Sequence, residues 1–248
     1  RHVGVDVVGP DRDLSTYRLV VLPSQAIVDP GLAARLRAFV AAGGTLLSLP
    51  QLACRDANAA YLPAPPPVGL EDVFGLRVVG GTYLRSFVRP DEALFFPAQR
   101  AGTDRPRLAA RFAHGGREHQ VEAWMEDLEL VGATALAAFT DDLFAGAPAI
   151  TENRHGAGRA VYVAGYPTDD LLDDLVAHLI AGGALAAGPT TPRWVEIVRR
   201  GDLIVIVNHR GEAVEVPMRA DEVLVGTCAD GVARLGAYDV FVARGRCD

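Results

Sequence analysis

Four serines, three cysteines, six histidines and several acidic clusters are the side chains of this sequence that could attack, ligate or carry a proton. The serines are Ser15, Ser24, Ser48 and Ser86. None lies in the Gly-x-Ser-x-Gly elbow that holds a hydroxyl on a strained strand-to-helix turn. Ser48 falls inside an apolar run, and Ser24 follows one without flanking glycines. Cys54, in QLACRDAN, also lacks such glycines and reads as a small buried thiol. His114 and His119, with Glu118 and Glu122, offer metal-ligating types, but their spacing is that of a hairpin and supplies no third ligand of fixed geometry. A solvated hairpin is the expectation there. Asp169 and Asp170 complement the dipole of the helix they open, and Asp173 and Asp174 are expected on its solvated face. Glu126 and Glu129 are the carboxylates that could be paired for glycoside hydrolysis. Such a pair needs a defined separation across a cleft, which a linear sequence does not display.

Composition removes whole mechanisms. All 24 basic residues are arginine, so a Walker-type phosphate loop, a Schiff-base nucleophile and a Ser–Lys pair are excluded. The Gly-x-Gly of NRHGAGRAVY (153–162) lacks a third glycine and leads into a strand pattern, which is a hairpin turn and not a dinucleotide loop. No cofactor and no metal are therefore expected. A net charge of −7 without a basic stripe argues against nucleic acid as a partner. No apolar run is long enough to cross a bilayer. Cys54, Cys228 and Cys247 are scattered singly, as expected of a reducing, cytoplasmic setting. The start at Arg1, without methionine and without a signal pattern, is expected of a processed or cropped chain.

The elements that would position these residues follow from periodicity. Residues 3–8 and 18–23 read as strands buried on both faces, only a short turn apart. DPGLAARLRAFVAAGG (29–44) is a helix with Asp29 as cap, Pro30 in its first turn and Gly43-Gly44 at its end. TLLSL (45–49) completes a parallel strand–helix–strand unit over 17–49. A stiff connector (63–67) and a short helix (69–76) come next. From 77 to 140 the period moves towards two, with a turn at 114–116, so antiparallel strands are expected. Residues 148–167 form a hairpin, and 168–183 a helix capped by Thr168. Strict alternation after the linker at 186–192 predicts a small all-β unit. Two domains result: 1–190, an open parallel α/β sheet with antiparallel additions, and 191–248, a β-sandwich.

Four segments, VDVVGPDRDLSTYRLVVLPS, LAARLRAFVAAGGTLLSL, PAITENRHGAGRAVYVAG and VEIVRRGDLIVIVNHRGEAVEV, resemble in order the region after the catalytic barrel of glycoside hydrolase family 42 β-galactosidases. The resemblance implies a trimerisation domain with a flavodoxin-like, class I glutamine amidotransferase-like fold, followed by a C-terminal β-domain. It implies a homotrimer and an upstream barrel as partners. It places 3–8 and 18–23 as second and third strands, with the first strand, preceding Arg1, between them. The family's two catalytic glutamates belong to the barrel, so no catalytic residue is carried over here. The expected function is a non-catalytic assembly region of an enzyme that hydrolyses terminal β-D-galactosides with retention. The competing readings are a stand-alone amidotransferase-like hydrolase and a free-standing oligomerisation or sugar-binding module.

Overall fold

The computed structural model describes residues 3–84, 107–110, 116–140, 143–185 and 191–246. They fall into two compact units, one of Gly9–Leu185 and one of Ala186–Asp248 with Arg1–Val8.

The first unit begins with β1 (Leu19–Leu22), α1 (Pro30–Ala41) and β2 (Thr45–Ser48). The Asp29 carboxylate accepts from the Leu32 N–H at 2.8 Å, and Pro30 costs nothing where no intrahelical bond is due. Leu32, Leu36, Phe39 and Val40 form the buried stripe of α1. β1 and β2 pair in parallel, as the strand–helix–strand pattern predicts. A short α2 (Glu71–Phe74) ends on Gly75, whose φ of 63° needs a residue without Cβ.

The antiparallel part comprises β3 (Leu76–Tyr83), β4 (Arg107–Ala110), β5 (Arg117–Leu130) and β6 (Thr134–Phe139), followed by the hairpin of β7 (Pro148–His155) and β8 (Gly158–Val163). β8 lies parallel to β2 and antiparallel to β7, and so joins the two halves. Among the described residues the sheet runs β1-β2-β8-β7-β6-β4-β5-β3, with β9 (Gly165–Pro167) beside β5. α3 (Asp169–Ala181) then buries Leu171, Leu175 and Leu179. Thr168 occupies its N-cap position with extended backbone, but its hydroxyl makes no cap hydrogen bond. Val40, Leu46, Phe74, Val161 and Leu175 are among the residues of one continuous core.

One expectation is corrected. Residues 3–8 form no strand, and Val5 and Val7 are 79% and 100% exposed. A valine run becomes a two-face-buried strand only when neighbours supply ladder partners on both sides. Here β1 is an edge strand of the sheet among the described residues. The turn expected at 114–116 lies outside the described residues except for Gly116.

The second unit holds two sheets, β10-β11-β16-β13 and β12-β15-β14. The strands are β10 (Val195–Arg200), β11 (Leu203–Asn208), β12 (Val214–Pro217), β13 (Arg219–Val225), β14 (Thr227–Ala229), β15 (Val232–Leu235) and β16 (Val240–Arg246). Alternation along β11 sends Ile204 and Ile206 into a core shared with Val214, Val216 and Leu235 of the other sheet. Asn208 ends that inward row. Its amide donates to the carbonyls of Glu212 at 2.7 Å and Gly236 at 2.6 Å, fastening two turns.

Candidate functional site

In open α/β sheets a ligand site is expected beyond the carboxyl ends of the parallel strands. In the first unit that end is built by the segments after β1, β2 and β8. Ser24, Gln51 and Ala53 have φ values of 58°, 66° and 48°, and Ala123 in β5 has 59°. Ala123 coincides with a break in the β5–β9 register between Glu122 and Met125. Left-handed backbone at four non-glycine residues is costly and persists only where surrounding contacts fix it.

One of the four, Gln51, meets Glu126, which is 3% exposed. Its Oε1 accepts from the Gln51 N–H at 2.8 Å and the Trp124 indole at 3.3 Å. Its Oε2 accepts from the Tyr162 hydroxyl at 2.5 Å. Segments 36 and 75 residues away in the chain thus meet on one carboxyl group. Burial pushes the Glu126 carboxyl above the ordinary carboxylate range, against three hydrogen bonds that pull it down. Burial, and then the adjoining Glu126 charge, raise the Tyr162 phenol well above its usual value. Both oxygens have donors, and Glu126 lines none of three clefts of about 750, 470 and 350 Å³. The group braces β2, β5 and β8.

The residues weighed for chemistry lie apart. Glu129 is exposed while Glu126 is buried, because an offset of three residues along a strand reverses the face. Ser24 occupies a left-handed turn after β1, yet its hydroxyl donates to the Tyr166 phenol at 3.2 Å, which is no general base. Ser48 is buried and donates to the Leu49 carbonyl, and exposed Ser15 donates to Asp13. Burial raises the Cys54 thiol, which leaves little thiolate. Ser86, His114 and Cys247 lie outside the described residues.

His119 corrects the solvated-hairpin expectation. It is 5% exposed, and its Nε2 meets Asp174 Oδ2 at 2.9 Å. Asp174 also binds Arg117, so it is not on a solvated face of α3 but fastens that helix to β5. Burial works to raise the Asp174 carboxyl, and the hydrogen bonds from Arg117 and His119 outweigh it, leaving it below the usual range. Among the described residues no three His, Cys, Asp or Glu side chains are arranged to hold a metal.

The signal that could have found the Glu126 node is a lone tyrosine in the apolar strand RAVYVAG together with a lone glutamate in WMED. A phenol or carboxylate sunk in a core needs a partner. Which partner is a matter of register between distant strands.

A mixed α/β sheet braced by a closed polar node, followed by a small all-β unit, defines the structural class. A sequence profile of the β-galactosidase trimerisation domain matches residues 1–186. The chain belongs to that family, the trimerisation domain of glycoside hydrolase family 42 β-galactosidases. It is 28% identical to the β-galactosidase BgaB of Geobacillus sp. over 98% of its own length and 35% of that relative. It is 31% identical to the β-galactosidase BglY of Alicyclobacillus acidocaldarius, over 97% of the chain and 34% of the relative. The structure of the β-galactosidase from Bacillus circulans sp. alkalophilus matches with a TM-score of 0.81 at 26% identity, over 95% of this chain and 34% of that one. The enzyme from the haloarchaeon Halorubrum lacusprofundi matches with a TM-score of 0.81 at 27% identity, over 98% and 33%. The chain thus spans about a third of the length of the relatives it matches.

Proposed function

We propose that this chain is the assembly region of a longer, cytoplasmic β-galactosidase, in which it organises a homotrimer and carries no catalytic residue. The observation that carries the reading is the coverage: 98% of the chain aligns with only 35% of a β-galactosidase. Retaining hydrolysis of terminal β-D-galactosides is then the work of a barrel elsewhere in the polypeptide. The amidotransferase-like relationship rests on the parallel run β1-β2-β8 with α1 crossing between its first two strands. It transfers no activity, since a fold does not imply a function.

The purified 248-residue chain is expected to leave a chromogenic β-galactoside intact while sedimenting at three times its protomer mass. Turnover abolished by Glu126→Gln would overturn the non-catalytic reading, and a monomer at micromolar concentration would overturn the assembly role. The carboxylate variant separates true turnover from contaminating host enzyme.

We also place the domain boundary at 190/191, where helical and parallel elements give way to alternating strands. Limited proteolysis is expected to cut first within 186–192 and release the all-β unit. First cleavage inside 9–185 would show that the boundary lies elsewhere.

A further inference from the structure

The opposite end of the sheet, where the parallel strands begin, holds a cleft of about 750 Å³. Arg18, Arg35, Arg154 and Arg159 line it, with Asp13 as the acidic member of the lining. The ladder explains why they meet. Leu19, which follows Arg18, pairs with Thr45, Thr45 with Arg159, and Arg159 with Arg154. Arg18 and Arg154 therefore stand at either side of four adjacent strands, about 14 Å apart at the backbone from three spacings of roughly 4.8 Å. Long guanidinium side chains can close on an object between them.

Their donors are not equally committed. Arg159 gives Nη1 to Glu152 and Nη2 to the Gly182 carbonyl, each at 3.2 Å. Arg35 reaches the Pro10 carbonyl at 2.7 Å and the exposed Asp11 carboxylate at 3.6 Å, and its Nε is buried with no acceptor. Asp13 is occupied by Ser15. Among the described residues no acceptor is paired with the side chain of Arg18 or Arg154. Two exposed guanidiniums without a paired acceptor thus line the cleft and form a positive site in a protein of net charge −7. The ends of α1 and α3 also border the cleft, where their dipoles offset part of this charge. The Ala41 carbonyl is taken by Ala157, and those of His178 and Ile180 by Gly182 and Gly183.

We propose that this cleft binds a small phosphate-bearing ligand, with Arg18 and Arg154 closing on its oxygens. Guanidinium forks suit phosphate oxygens bidentately, and the volume lies in the range of small-ligand pockets. Leu14 and Phe39 supply an apolar wall for the body of a phosphate ester. The site is distinct from Glu126, which is at the other end of the strands.

The test is calorimetric titration of the full-length polypeptide carrying this chain with inorganic phosphate, pyrophosphate and a hexose phosphate, at constant ionic strength set with chloride. Saturable binding of at least one probe is expected. The free ion alone binding as well as the ester would assign the site to inorganic phosphate, and tighter ester binding to a phosphorylated metabolite. The pair Arg18→Ala with Arg154→Ala is expected to weaken binding about tenfold or more. Arg18→Lys with Arg154→Lys, which keeps the charge and guards against misfolding, should recover part of it. Arg77→Ala, on β3, should change nothing. Absence of saturable binding by all three probes overturns the proposal, as does unchanged affinity in the alanine pair.

Discussion

Gly158→Ala is expected to unfold the first unit at ordinary temperature, at a cost of more than about 4 kcal/mol. Gly158 opens β8 where that strand passes over the connection from α1 to β2. A Cβ there would overlap the carbonyl oxygens of Val40 and Gly44 and lie 3.1 Å from the Gly43 carbonyl carbon. All three are backbone atoms of the helix end and the turn, so no side chain can swing aside. Relief would require β8 to withdraw from β2, and the parallel pairing from Thr45↔Arg159 to Ser48↔Tyr162 would go with it. Gly9→Ala is the control, since nothing lies within 4 Å of its added Cβ, and it should stay within about 0.5 kcal/mol of the wild type. Urea unfolding measures both. A Gly158→Ala midpoint near the wild type would show that the close approach relaxes cheaply.

Glu126→Ala is expected to cost about 2–5 kcal/mol, because it orphans a fully buried phenol and a backbone N–H together. Tyr162 is 0% exposed and cannot turn to water for a replacement partner. Glu126→Gln keeps the shape and should cost less, and its comparison with the wild type carries a pH signature. Burial raises the Glu126 carboxyl above its unfolded value, so the folded state holds that proton more tightly than the unfolded chain does. The stability this supplies is complete below the unfolded carboxylate value and is lost as pH rises through the folded one. Glu126→Gln, which does not titrate there, should therefore gain on the wild type as pH rises through that interval. Parallel pH profiles for the two proteins would show that Glu126 titrates as it does in the unfolded chain.

Both changes are read as stability, and in the Glu126 node both carboxyl oxygens are already taken by hydrogen bonds. The Arg37–Asp72 pair, at 2.9 Å, shows the contrast with an exposed contact. The hydrogen bond from Arg37 lowers the Asp72 carboxyl, yet both partners are more than a third exposed and screened by water. Removing that pair would be felt far less than opening the Glu126 node.

What the sequence determined by itself was whatever a few consecutive residues decide. Asp29, Pro30 and the Leu32–Val40 stripe specify α1 because a cap and a period of 3.6 act within one helix. TLLSL and RAVYVAG read as buried strands because their side chains are apolar on both faces, whereas LIVIVN is apolar at five consecutive positions and only the structure shows that Ile204 and Ile206 face the core. The turn at Gly156 was legible because positive φ favours glycine. The region's place in a β-galactosidase family was legible too, from four such segments in order.

Only the tertiary structure decided which of these elements became neighbours. Residues 3–8 have the composition of a strand and form none, since a strand exists only through partners that its own residues do not supply. Glu126, Gln51 and Tyr162 lie far apart in the chain, and the Glu126 carboxyl became a brace through the register of β2, β5 and β8. His119 and Asp174, 55 residues apart, left solvent for the same reason. Arg18, Arg154 and Arg159 look like scattered surface charges until parallel and antiparallel pairing bring them to one end of the sheet. Local physics writes the elements, and ladder register, a long-range property, places the charges.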